Sequence, residues 1–262
     1  MNKLFKKSLF LAALPVGGFA LFYLIPYIFV LKYSFADGEG GLGNYASVLS
    51  NEYFLMALAN TAVFITVTIP LMLIVGYILT DMAVRHAFGS VFTVVLFLPA
   101  LIPSVSAADI WTELFPGESA LPIMLLFVWK NTGLVTLIMT AGRLRISREI
   151  FDAASIDGAW GLTLHRSVIL PLMTPVIFFC SLVSLVQSFK IFREIYLLYD
   201  AYPPDDLYMI PHYIFNKFNK LDYGELSAGT MIFTVLILAV LAVAVVCVIG
   251  YTKGSGDYEK KS

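Results

Sequence analysis

Ile146-Ser-Arg-Glu-Ile-Phe-Asp-Ala-Ala-Ser-Ile-Asp-Gly-Ala-Trp160, followed by Ile169-Leu-Pro-Leu-Met-Thr-Pro175, is a polar island in a very apolar chain. It reads as a short amphipathic helix, a glycine stop and a second segment leading into the next hydrophobic run. Ser147 is placed to cap the helix by accepting from backbone N–H groups two or three residues on. Glu149 in the first turn suits the positive end of the helix dipole. Ile146, Ile150, Ala153 and Ala154 share one helical face, and Gly158 suits a left-handed stop. Two readings remain: a helix lying on lipid headgroups, or one that docks another surface. The small Ala153, Ala154 and Gly158 offer little area to lipid and let a partner come close.

The flanking sequence establishes a membrane protein. Hydrophobic residues make up 59% of the 262, charged residues 13%, and the mean hydropathy is +0.84. Soluble domains carry about 25% charged residues. Six stretches are long and apolar enough to cross a bilayer, each near the ~20 residues a helix needs. They are Ser8–Leu31, Ala57–Thr80, Ala87–Ala108, Ser119–Gly142, Ser167–Phe189 and Leu226–Tyr251. Only the fourth holds a charge, Lys130. Helices satisfy every backbone polar group without water, and no ten-residue β-barrel alternation is visible. Lys3, Lys6 and Lys7 before an apolar run resemble a signal peptide. The run continues to Leu31 with no clear Ala-x-Ala site, so an uncleaved first helix is expected. The fold expected is thus an all-α integral membrane protein with six transmembrane helices and a cytoplasmic helix between the fourth and fifth. Its organisation is residues 1–56 as first helix and external loop, 57–251 as a five-helix core with the island at 146–175, and 252–262 as a short cytoplasmic tail.

Lys and Arg orient the bundle. With the N-terminus inside, Lys3, Lys6, Lys7, Arg85, Arg143, Arg145, Arg148, Arg166, Lys253, Lys260 and Lys261 are inside, against Lys32, Lys190, Arg193, Lys217 and Lys220 outside. Acids show the reverse tendency, among them Asp37, Glu39, Glu52, Glu113, Glu118, Asp205, Asp206 and Glu225. Both termini and the island are then cytoplasmic.

Chemistry of its own is not expected. Cys180 and Cys247 both fall inside expected helices as packing residues. There is no Walker A loop, His-Glu-x-x-His pair or Cys-x-x-Cys pair, and His86, His165 and His212 lie in separate loops. The chain reads as a non-enzyme with no catalytic or metal site. Any nucleotide chemistry belongs to another chain.

The island closely resembles the "EAA" loop of ABC importer permeases. Asp152-Ala153-Ala154, three residues, Gly158, and then Ile169-Leu170-Pro171 follow that pattern, and the Asp157-Gly158-Ala159 ending looks like the carbohydrate branch. Gly41-Leu42-Gly43-Asn44-Tyr45, Phe97-Leu98-Pro99 with Ile102-Pro103, Val128-Trp129-Lys130, Ala141-Gly142-Arg143-Leu144 and Phe189-Lys190-Ile191-Phe192 resemble sugar permeases of the maltose-system type. Together they cover most of the chain. Asp152 departs from the usual Glu, keeping the charge and shortening the reach. The external segment Phe115–Ser119 is very short, and Tyr199–Pro204 replaces a Thr-Gly-Gly-Pro-like turn.

The resemblance implies a subunit of a binding-protein-dependent importer in the cytoplasmic (inner) cell membrane. Its partners would be a second homologous permease, two ATP-binding cassette ATPases, an extracellular solute-binding protein and the bilayer, with no nucleic acid. The chain holds no cofactor of its own; ATP and Mg sit on the ATPases. Asp152, Ala153, Ala154, Asp157 and Gly158 take the ATPase-coupling positions, and closure of the ATPases drives alternating access.

Ionisable groups within membrane spans are functional candidates by default. Lys130 reads either as a sugar-hydroxyl donor or as a structural or gating residue. Gln187, Lys190, Arg193 and Glu194 cluster near the outer end of helix five, where Lys190 and Glu194 at i, i+4 also fit a mutual ion pair. Asn60 and Asn131 are further path candidates, although buried amides often only tie helices together. The loops 35–54, with a short amphipathic helix near Tyr45–Leu49, and 200–225, irregular around Pro203, Pro204 and Pro211, are the expected binding-protein surfaces. An ABC permease for a polyamine or a phosphorylated solute is the alternative. An autonomous carrier or channel is a second alternative, and it predicts acids or broken helices deep in the bundle.

Overall fold

The computed structural model describes residues 13–36, 41–85, 89–115 and 119–259. Lys3, Lys6, Lys7, Asp37, Glu39, His86, Glu118, Lys260 and Lys261, used above for orientation and function, lie outside the described residues. So do Ser8–Ala12 of the first span, the start of the third, residues 116–118 of the short loop and the side chain of Cys247. Among the described residues five helices are long and apolar enough to cross a membrane, or six when the bent pair Val91–Leu101 and Ser104–Trp111 is counted as one span.

Two compact units emerge, Met1–Leu55 with Tyr213–Val240 and Met56–His212 with Leu241–Ser262. In the first, α1 (Ala13–Ser34) is followed by α2 (Gly43–Ser50), the amphipathic helix expected in the external loop. Tyr45 Oη donates to Ser34 Oγ at 2.8 Å and ties the two together. The side chain of Asn51 accepts from the N–H groups of Tyr53 and Phe54 at 3.0 and 3.3 Å, capping α3 (Glu52–Arg85). Phe54 packs edge-on against Tyr213 at 5.2 Å. Tyr213 lies in α11 (Ile210–Asn219), and α12 (Tyr223–Glu259) follows. Pro211 was expected to limit regular structure; it sits in the first turn of α11, where a missing N–H costs nothing. Lys217 binds Asp222 and Glu225. Burial works against its charge, but those two carboxylates more than offset it and hold the ammonium above the usual lysine range.

The second unit positions the site. The third span was expected as one helix, Ala87–Ala108. It is instead α4 (Gly89–Phe97), a 3-10 turn at Leu98–Leu101 and α5 (Ser104–Leu114), with a 90° bend. Pro103 explains the break: Ile102 before it is forced extended, with ψ 128°. After α6 (Ala120–Arg143) come α7 (Arg148–Ile156) and α8 (Gly161–Leu164). A π turn at His165–Ile169 leads into α9 (Leu170–Lys190), and α10 (Phe192–Tyr199) follows beyond Ile191.

Large apolar residues both fill this unit and face outward: Phe64, Phe127, Met139 and Met173 are buried, whereas Val63, Val67, Ile74 and Ile78 on α3 are exposed. Lipid tails are as apolar as leucine, so burial alone does not hold such helices together. Small and polar residues mark the contacts instead. At Gly133 an added Cβ would lie 1.9 Å from the Leu96 carbonyl oxygen, so α6 approaches the end of α4 backbone to backbone. Thr80 Oγ1 donates to the Thr136 carbonyl at 3.3 Å, joining α3 to α6.

Candidate functional site

α7 is the polar island folded. Ser147 has the extended N-cap backbone expected of it, but its side chain makes no capping hydrogen bond, so it serves the turn by conformation only. The C-terminus is a Schellman motif: Ala159 N–H donates to Ala154 O at 2.9 Å and Gly158 N–H to Ser155 O at 3.2 Å. Gly158 has φ 73°, the left-handed conformation that glycine adopts without strain. Asp152, Ala153, Asp157 and Gly158 are exposed, and nothing lies within 4 Å of an added Cβ at Gly158. Ala154 is buried against its own chain, so its small size serves internal packing. Ile156 (86% exposed), Trp160 and Leu162 add an apolar rim beside these residues.

The spans enclose a polar cavity of about 400 Å³. Lys130, Asn131, Gln187, Lys190 and Glu194, five of the six path candidates, line it together. Asn60 does not: its amide donates to the carbonyls of Asp205 and Tyr208 at 2.6 and 2.9 Å. Lys190 and Glu194 do not pair with each other. Ile191 separates α9 from α10, and Glu194 turns to Lys130, whose Nζ lies 2.8 Å from Oε1. Ser104, at the start of α5, donates to the same carboxylate oxygen at 2.8 Å and accepts from Lys130 at 3.2 Å. The side chains of Lys130 and Glu194 are only 14% and 7% exposed. Such a pair keeps two charges tolerable within a span by satisfying both. Asn131 donates to the Phe127 carbonyl one turn back.

Ser104 and Arg193 belong to this cavity, and only Arg193 carried a sequence signal, as part of the cluster at the end of α9. Ser104 lies among small residues after a proline, and no spacing rule brings it to Glu194.

Residues 72–252 match the family model described as "Binding-protein-dependent transport system inner membrane component". The chain belongs to this family. The arabinooligosaccharides permease AraP of Bacillus subtilis is 28% identical over 92% of this chain and 88% of its own. The trehalose/maltose permease MalF of Thermococcus litoralis is 27% identical over 76% of each. The trehalose permease SugA of Mycobacterium tuberculosis is 30% identical over 60% of this chain and 58% of its own. The crystal structure of a bacterial ABC transporter that imports the acidic polysaccharide alginate aligns with a TM-score of 0.73 at 18% identity, over 97% of this permease and 98% of that chain. The chain is therefore an all-helical, multi-pass membrane permease with the ABC importer permease fold.

Proposed function

We propose that this permease carries a saccharide across the cytoplasmic membrane, driven through α7 by separate ATPase subunits. The polar cavity within an otherwise apolar set of spans carries the reading, because it offers amides and charges where a polyhydroxylated solute needs hydrogen bonds. The named relatives transport sugars, which supports the same solute class. Exposed α7, in a chain without a nucleotide motif, fits a groove on an ATPase. A second permease, two ATPases and an extracellular solute-binding protein complete the machine, and the cation asymmetry supports cytoplasmic termini and a cytoplasmic α7. Asp152, Ala153, Asp157 and Gly158 are the solvent-facing contacts in this reading; Ala154 holds α7 to its own chain. The ATP and Mg that drive the cycle are held by the ATPases. A polyamine fits poorly, because Lys130, Lys190 and Arg193 meet only one acid, Glu194, in the cavity.

Uptake of radiolabelled sugar by the reconstituted importer tests both parts. Gly158→Arg abolishes uptake and ATPase docking while the chain still inserts. Gly158→Asn, which tolerates the left-handed backbone, retains most of both. Normal uptake by Gly158→Arg at normal expression overturns the docking role, and absence of any saccharide uptake by the wild type overturns the solute class. A second reading, an acidic sugar, is favoured by one observation: Lys190 and Arg193 face the cavity with no ion-pair partner among the described residues. Preferential uptake of an oligouronide over its methyl ester would select it, and equal uptake would reject it.

A further inference from the structure

The end of α3 carries Tyr77, Asp81 and Arg85 at i, i+4 and i+8, one stripe of the helix. All three meet His165, the first residue of the π turn that follows α7 and α8. Tyr77 Oη lies 2.7 Å from His165 Nδ1, Arg85 Nη2 3.1 Å from Nε2, and Asp81 Oδ1 3.5 Å from Nε2. Arg85 Nε also holds Asp81 Oδ2 at 2.7 Å. The imidazole is 16% exposed. At the other end of the loop, Arg143 closes α6 with its guanidinium 4.4 Å above the Phe151 ring of α7. The segment bearing α7 is thus tied at both ends, to α6 through Phe151 and to α3 through His165. π turns occur disproportionately at functional positions, because the extra residue re-aims a side chain.

The geometry around Nε2 admits two arrangements. A guanidinium only donates. When Arg85 holds the ring, Nε2 is therefore an acceptor, and Nδ1–H donates to the Tyr77 oxygen. A protonated imidazole donates from both nitrogens; it repels Arg85 and turns Nε2–H to Asp81. Tyr77 serves either state, since its hydroxyl both donates and accepts. The charged groups around His165 are Asp81 and Arg85 from α3, Arg166 beside it in the π turn, and Arg143 from α6, near enough to act on Tyr77 and Asp81.

We propose that His165 is a positioning residue of the transport cycle, a clasp that carries displacement of α7 into α3. The proposal rests on the reading of α7 as the ATPase-docking helix. Without the clasp, α7 follows the ATPases while α3 lags, and ATP is hydrolysed without solute movement.

The test uses the complete importer in proteoliposomes, with Ile156→Cys in the permease to report docking by cross-linking to the ATPase. His165→Ala keeps the cross-link and keeps hydrolysis within twofold, while solute moved per ATP falls tenfold or more. His165→Gln, which keeps a donor and an acceptor, restores most transport. Tyr77→Phe keeps the ring, deletes one hydrogen bond and gives a smaller loss, so the test stands even where His165→Ala fails to fold. Wild-type stoichiometry in a folded His165→Ala overturns the clasp, and where His165→Ala does not fold, wild-type stoichiometry in Tyr77→Phe overturns it. Loss of the cross-link in His165→Ala alone also overturns it, by showing a local folding role. No cross-link in the parent permease overturns the docking reading, and the clasp falls with it.

Discussion

Glu194 accepts from Lys130 and from Ser104 at one carboxylate oxygen, and both charged side chains are mostly buried. Removing one partner leaves the other buried and unpaired, at a cost of about 3–5 kcal/mol; replacing both with apolar residues of similar size costs far less. Lys130→Met alone therefore lowers the melting temperature in detergent sharply, whereas Lys130→Met with Glu194→Leu recovers much of the loss. Equal melting of the single and double variants would show that the two residues do not act as a pair. His212 is buried differently. Nδ1 accepts from Met209 N–H at 3.2 Å, Nε2 has no partner among the described residues, and the ring meets Phe192 at 4.7 Å. Burial pushes its pKa down to about 4. The folded chain keeps His212 neutral where the unfolded chain protonates near 6.5. Its stability is full above pH 6.5 and declines as pH falls towards 4, by about 3 kcal/mol across that window. Melting curves between pH 7.5 and 4.5 measure the decline, and His212→Gln removes most of it.

Asp200 closes α10 at φ 56° and ψ −146°, a conformation nearly confined to glycine. Backbone strain of this kind costs of order 1–3 kcal/mol. Asp200→Gly is therefore expected to raise stability by about 1 kcal/mol, read as a higher melting temperature with transport unchanged; a lower one would mean that the carboxylate matters more than the strain. The sequence resemblance expects glycines in this turn and finds Asp200 there, so the position was legible, though its cost was not. The long spans and α7 were equally legible, because apolar length and an isolated 3.6-residue period leave little choice. The 90° bend was not read, although its cause, Ile102 before Pro103, is in the sequence: a residue before proline limits a helix without saying whether the chain kinks or turns. The i, i+4 spacing of Lys190 and Glu194 also misled, since Glu194 turns to Lys130 instead. Lys130 and Ser104 reach Glu194 across 64 and 90 residues of sequence, and a single sequence carries no trace of such a contact. His165 was invisible for the same reason, while its partners Tyr77, Asp81 and Arg85 stood in plain helical register.

Lipid and protein compete for the same apolar side chains in this permease, so its assembly depends on where the few polar groups lie. By the positive-inside rule those groups also give the expected orientation. The cation-rich segments include Arg143, Arg145 and Arg148 at the start of the α7 loop, and a short cationic loop resists translocation. The loop between α10 and α11 carries Asp200, Asp205 and Asp206 instead. Cysteine accessibility separates the two sides. With Cys180 and Cys247 replaced by serine, Ile156→Cys beside Gly158 reports one loop and Tyr202→Cys reports the other; both native side chains are well exposed. In intact cells a membrane-impermeant maleimide is expected to label Tyr202→Cys and to spare Ile156→Cys until the membrane is permeabilised. Labelling of Ile156→Cys in intact cells would invert the bundle. It would put α7 out of reach of any cytoplasmic ATPase, and no other exposed helix among the described residues resembles a coupling segment that could take its place.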